Sequence, residues 1–203
     1  KDRFPILMLT SLLFCLTSPG AVEDPDVDAI MEQVVDKVFR AQAAQKDVNR
    51  IPRNVPTGRK RWETVAYDSW VSGFWSGVLW YMYDYTGDVK WREVAHERNL
   101  PVAKVLTGKK KDHDLGFQFF CSFGNGYRLT GNPQYREYVF KAADQLAAMA
   151  HPTVGTILSW PHAEDRYETE HNTIIDNLMN LELLFWVARN GGNRAYFDIA
   201  RRH

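Results

Sequence analysis

The chain has 203 residues and carries 25 basic and 25 acidic side chains, for a formal net charge of zero. That balance excludes the broad basic footprint of a nucleic-acid-binding protein and leaves any anionic ligand to be met by local groups. Seven Trp, nine Tyr and eleven Phe stand in an otherwise ordinary composition of 45% apolar residues, a surplus that suits stacking on sugar faces as well as a large core.

Residues 1–20 read as a secretory signal. Lys1 and Arg3 supply the positive start, Phe4 to Thr17 the apolar run, and Ser18, Pro19 and Gly20 the small-residue cleavage region. The run is too short to span a bilayer comfortably, so a secreted or periplasmic product with no membrane association after cleavage is expected. Cys15 lies inside that leader, which leaves Cys121 as the lone cysteine of the mature chain and no intramolecular disulfide. Residues 21–203 then read as one unit, part of a single domain.

From Val22 to Gln45 the positions Val27, Ile30, Val34, Val38 and Ala41 recur at helical spacing, predicting an amphipathic helix after Pro25. Lys46 to Arg61 is polar and broken by Pro52, Pro56 and Gly58, and reads as a loop with a solvated basic surface. The next stretch, Trp70 to Trp91, predicts a helix on which Gly73 and Gly77 make one smooth strip for the close approach of a neighbour or a ligand.

A short pattern recurs three times: Gly87-Asp88-x-x-Trp91, Gly131-Asn132-x-x-Tyr135 and Gly192-Asn193-x-x-Tyr196. In each, Gly ends one helix, Asp or Asn caps the next, and an aromatic locks the turn. Strand signals are weak throughout. Stacked helical hairpins with uneven loops predict an all-α solenoid or closed α/α toroid.

Two aspartates stand out. Asp114 precedes the helix expected over Phe117 to Tyr127, where an N-cap role is the ordinary explanation, and His113 beside it fits the surface. Asp176 lies within Ile174-Ile-Asp-Asn-Leu-Met-Asn-Leu-Glu-Leu-Leu-Phe-Trp186, among residues suited to a helical interior. Burial there would raise its pKa and make it a general acid, while a first-turn Asp held by the helix dipole is the structural alternative. On one helix it would share a face with Asn172 and Asn180. Trp160, on the loop from Pro152 to His171 with its charged run His162 to Glu170, is placed either to stack on a ligand or to anchor its own loop.

Taken together, W-x-x-G-F-W at Trp70–Trp75, H-D-x-G-F at His113–Phe117, the Ser159-Trp160 pair and I-I-D-N-x-M-N-L-E-L-L at Ile174–Leu184 resemble the unsaturated glucuronyl hydrolases, family 88 of the glycoside hydrolases. The resemblance covers residues 65–203. It implies a six-hairpin α/α barrel, of which this chain would hold about the N-terminal half, a piece expected to be inactive alone. It implies removal of a 4,5-unsaturated uronic acid from the non-reducing end of lyase-made oligosaccharides, by hydration of the C4=C5 double bond. Asp176 matches the family's general acid/base and Asp114 its second essential carboxylate. Trp70, Phe74, His113 and Trp160 match residues lining the substrate subsites, and no cofactor or metal is implied. The rival readings are an unsaturated rhamnogalacturonyl hydrolase on the same barrel and a non-catalytic sugar-binding α/α protein.

Overall fold

The computed structural model describes residues 26–108, 112–161 and 169–203. The expected signal segment, the three lysines before Asp112 and most of the charged run after Trp160 lie outside them.

The first helix, α1, spans Val27–Ala44, and Asp26 caps it by accepting the Ala29 N–H at 3.0 Å. Its apolar stripe is incompletely covered: Val38 is buried, whereas Val27, Ile30 and Phe39 remain exposed. Three hairpins follow. The first pairs α2 (Ser72–Thr86) with α3 (Val89–Ala103). The second begins with α4 (Leu115–Phe119), runs through a π-helical segment (Phe120–Gly124) into α5 (Asn125–Thr130), and returns as α6 (Pro133–Ala147). The third joins α7 (Asn177–Arg189) to α8 (Ala195–Arg202). The rod formed by α4, the π segment and α5 is central, touching α2 on one side and α6 and α7 on the other. Leu79, Trp80, Phe119, Phe123, Leu146, Leu183 and Leu184 fill the core between them. The architecture is all-α, of the hairpin-stacked α/α toroid type. Among the described residues, no helix is long and apolar enough to cross a membrane.

The recurring turn pattern has the expected chemistry. Gly87 and Gly131 both sit at φ 68°, in the left-handed region that closes α2 and α5. Asp88 and Asn132 then accept the N–H two residues on, at 2.9 Å in each case. Trp91 and Tyr135 pack inward behind them. The third copy is displaced by one residue: the positive φ falls on Gly191, while Asn193 still accepts the Ala195 N–H at 3.0 Å.

Two local elements depart from the sequence reading. The Lys46–Arg61 segment is not all loop, because β1 (Ile51–Asn54) pairs antiparallel with β2 (Glu63–Val65). Ile51 is buried in the core, and Arg98 of α3, itself buried, donates to the carbonyls of Gln45 and Asp47. Distant anchors therefore extend a segment whose own prolines argue for a loop. The second departure is the π segment, where Ser122 Oγ bonds back to the Gln118 carbonyl and the helical ladder widens.

Candidate active site

The sequence explains why three helices approach so closely here. A Cβ on Gly73 would lie 2.3 Å from the carbonyl oxygens of Phe117 and Gln118, and one on Gly77 would lie 2.8 Å from that of Cys121. The smooth strip on α2 is thus filled by the backbone of the α4 rod. On the rod's other side, a Cβ on Gly116 would lie 2.6 Å from Cα of Asn180 in α7. Asn180 closes this contact by accepting the Phe117 N–H at 2.8 Å. The N-termini of α4 and α7 are therefore clamped side by side.

Each of those N-termini carries an aspartate, and neither side chain is used as a helix cap. Asp114 occupies the N-cap position of α4 and Asp176 that of α7, both without a capping hydrogen bond. Both instead turn toward His113. Its Nε2 stands 3.3 Å from Asp176 Oδ1 and 3.5 Å from Asp114 Oδ1. Its Nδ1 lies 2.8 Å from the Ser159 carbonyl oxygen. The ring is 1% exposed and meets Trp160 edge to face, with centroids 5.9 Å apart.

The two acids differ in environment. Asp114 is buried, and desolvation, helped by the negative charge of Asp112, pushes its carboxyl up to about 7 despite the opposing pull of His113. The Asp176 side chain is 41% exposed. Its apolar neighbours are exposed as well, Ile175 at 85% with Leu178 and Met179 above half. The burial expected around Asp176 is therefore absent, because the first turn of α7 faces outward while Leu181, Leu183, Leu184 and Val187 further along enter the core. Nor does Asp176 share a helix face with Asn172. The helix starts only at Asn177, and Asn172 lies on the preceding segment, where it accepts the Trp160 N–H and donates to the Trp160 carbonyl.

Aromatic rings line the α2 side. Trp70 and Phe74 meet edge to face at 5.9 Å, and both contact Phe117, one turn along from Asp114, at 6.4 and 5.3 Å. Trp70 is 48% exposed and offers a free face for a ring-shaped ligand. The sequence motifs contain Phe117, Ser159 and Asn180 without assigning any of the three a role in the site. A groove of about 630 Å³ between α1 and the α2–α3 hairpin, lined in part by Phe39, Tyr85 and Trp91, is separate from the carboxylates. Among the described residues, Asp112, His113 and Asp114 bring donor atoms within 4.8 Å of one another. They are already engaged, Asp112 with the Asp114 N–H and His113 as above, and read as a hydrogen-bonded cluster.

No family model matches the chain. It is 33% identical to an unsaturated glucuronyl hydrolase of Formosa agariphila over 156 residues, 76% of this chain and 38% of that protein. It is 31% identical to an unsaturated chondroitin disaccharide hydrolase of Streptococcus pneumoniae, over 84% of this chain and 43% of the other. This chain is related to the unsaturated glucuronyl hydrolases. Solved structures agree: a heparin-specific unsaturated glucuronyl hydrolase superposes with a TM-score of 0.78 at 32% identity, covering 87% of this chain and 46% of that one. The unsaturated glucuronyl hydrolase of Bacillus sp. GL1 gives 0.75 at 28% identity, over 85% and 45%. The chain thus spans about two fifths of the length of the curated unsaturated glucuronyl hydrolases and chondroitin disaccharide hydrolases it matches.

Proposed function

We propose that the protein acts in the hydrolysis of unsaturated uronyl oligosaccharides, removing the 4,5-unsaturated uronic acid from the non-reducing end by hydrating its C4=C5 bond. The observation that carries this reading is the convergence of Asp114 and Asp176 on one buried histidine that packs against Trp160, with the exposed Trp70 ring on the α2 side. The similarity to hydrolases named for such substrates supports it, as does a similar structure from Streptococcus agalactiae crystallised with the disaccharide dGlcA-GalNAc6S. Asp176, exposed enough to meet a sugar, gives a proton to C4. Water adds at C5 and returns a proton to Asp176, so the carboxyl ends the cycle as it began. The hemiketal formed at C5 opens, and the neighbouring sugar is released. Asp114, poorly hydrated, holds the substrate and the acid in register. Trp70, Phe74 and Trp160 supply stacking surface. The same proposal places the protein outside the cytoplasm, on the composition of residues 1–20 alone.

The test is isotopic. Ordinary glycosidases work with two carboxylates flanking the anomeric bond. Hydration instead consumes the double bond, so the ultraviolet absorbance of the unsaturated uronate falls with turnover. One deuterium from heavy water then enters at C4, and ¹⁸O from labelled water enters at C5. Label at the anomeric carbon, or equal cleavage of saturated glucuronides, overturns the mechanism. Turnover of rhamnogalacturonan lyase products but not chondroitin lyase products would reassign the substrate.

A further inference from the structure

The hydrogen-bond inventory around His113 leaves a proton to be accounted for. A backbone carbonyl only accepts, so Nδ1, 2.8 Å from the Ser159 oxygen, must carry a hydrogen. The backbone N–H of His113 donates to the same oxygen at 3.2 Å, which holds the ring against one carbonyl from two directions. Neutral imidazole with hydrogen on Nδ1 presents a lone pair at Nε2, and that lone pair faces two carboxylate oxygens. Three acceptors cannot face one another in a site where the ring is buried. One more proton must sit among them, either on Nε2 or on one carboxyl. The raised carboxyl of Asp114 is consistent with its spending part of the time there.

Ser159 is what sets this arrangement. It is fully buried, and every polar atom it has is used across the site. Its N–H donates to the Asn172 carbonyl at 2.9 Å, and its carbonyl takes His113. Its Oγ accepts the Ile174 N–H at 3.0 Å and donates to Asn177 Oδ1 at 2.7 Å. Asp176 lies between those last two partners in the chain. One serine therefore joins the segment bearing His113 and Asp114 to the turn bearing Asp176.

We propose that Ser159 and His113 are positioning residues: Ser159 fixes His113 in its Nδ1–H form and orders the turn at Asp176, so that His113, Asp114 and Asp176 hold a single shared proton. Held together in this way, the two carboxyls keep a fixed separation without the mutual repulsion of two full charges. A proton is also stored beside Asp176, ready for transfer to a substrate. The inference rests on the proposed function for its purpose, but not for its geometry. Among the described residues, the titratable groups against His113 are Asp114 and Asp176, with Asp112 behind Asp114.

The first experiment needs no substrate. In protein labelled with ¹⁵N-histidine, long-range ¹H–¹⁵N spectra report the protonation of each ring nitrogen of His113. Nδ1 is expected to carry its hydrogen, while Nε2 shows the signal of a nitrogen that shares a proton. The Asp114→Asn and Asp176→Asn variants should each shift the Nε2 signal. Hydrogen on Nε2 with a bare Nδ1, or an Nε2 signal indifferent to both variants, overturns the proposal. The second experiment reads kinetics. In the whole protein, His113→Gln, which removes the shared ring, and Ser159→Ala, which keeps the carbonyl but frees the turn at Asp176, should each lower kcat by about 10²-fold with KM changed no more than about twofold. In His113→Gln, the pH limb set by Asp114 in the activity profile should move upward, because the partner that lowers the Asp114 carboxyl is gone. Variants that lose only thermal stability, with kcat and pH limb unmoved, show a structural role and sink the idea. An Nδ1–H histidine with one shared proton, in a whole protein that proves inert toward unsaturated uronides, would refute the proposed function and leave this inference standing.

Discussion

The N-termini of α4 and α7 are two versions of one local design. Each starts at an aspartate in the N-cap position, and each aspartate declines the capping bond that Asp26, Asp88 and Asn132 make elsewhere in the chain. They differ in water. Asp114 is 6% exposed and hemmed by Asp112, whereas the Asp176 side chain is 41% exposed on an outward-facing turn. Two carboxyls that share one histidine thus sit in unequal surroundings, one kept dry and the other open to a substrate. A capping aspartate stabilises its helix by about 1 kcal/mol, so freeing both costs stability that only the joint arrangement explains.

The largest effect should come from the open acid. In the whole protein, Asp176→Asn keeps shape and hydrogen bonding but cannot transfer a proton, so turnover of an unsaturated uronyl disaccharide should fall by at least about 10²–10⁴-fold with substrate affinity nearly unchanged. An Asn variant that retains activity removes Asp176 from the chemistry.

The dry acid should show itself in stability. With its folded value at about 7 and an ordinary value of 3.8, Asp114 holds a proton in the native state that the unfolded chain releases. Its contribution therefore lowers stability as pH rises from about 4 to about 7, and the full penalty applies above that. Asp114→Asn should abolish this slope. Relative to the parent, the variant should gain stability on going from pH 4 to pH 8, on the order of a few kcal/mol. Urea midpoints at the two pH values measure it, and a parallel shift at both would contradict the assignment. Activity should fall in the same variant, through misplacement of substrate or of Asp176.

A smaller effect belongs to the clamp between the two helix ends. Gly116→Ala would drive a methyl group into Asn180, and overpacking of this kind costs about 1–3 kcal/mol. The same change should spread the two carboxyls and reduce kcat more than thermal stability alone accounts for. Gly87 is a useful control, since a Cβ there meets nothing within 4 Å and only its φ of 68° opposes substitution. Gly87→Ala should cost stability without touching turnover.

The smallest effect concerns the ordinary caps. Asp88→Ala and Asn132→Ala should each lower stability by about 1 kcal/mol, the usual worth of such a bond. Calorimetry should find them alike and independent of pH near neutrality. That would set the working aspartates apart from the structural ones.

Much of the architecture was legible because it is local. Gly87 and Asp88 act within one turn of chain, so the pattern alone announces where helices end and begin, and its repetition announces hairpins. Gly73 and Gly77 declare a close approach, although not by which neighbour. What failed were inferences that required knowing which way an element faces. The apolar residues around Asp176 promised a dry acid, but a pattern of hydrophobicity does not tell a core-facing turn from one on an open edge. Nor could the pattern show that His113 is 1% exposed with both ring nitrogens engaged. Strand β1 was hidden because Ile51 and the carbonyls held by Arg98 find their partners only across the fold.

Helix identity, the hairpin repeat and the two aspartates were determined by the sequence itself, since propensity, capping and left-handed glycine turns act over a few residues. The unequal burial of those aspartates, the histidine between them and the serine that holds it were decided only by tertiary structure. Solvation and proton sharing depend on atoms that are dozens of residues apart in the chain and about 3 Å apart in space.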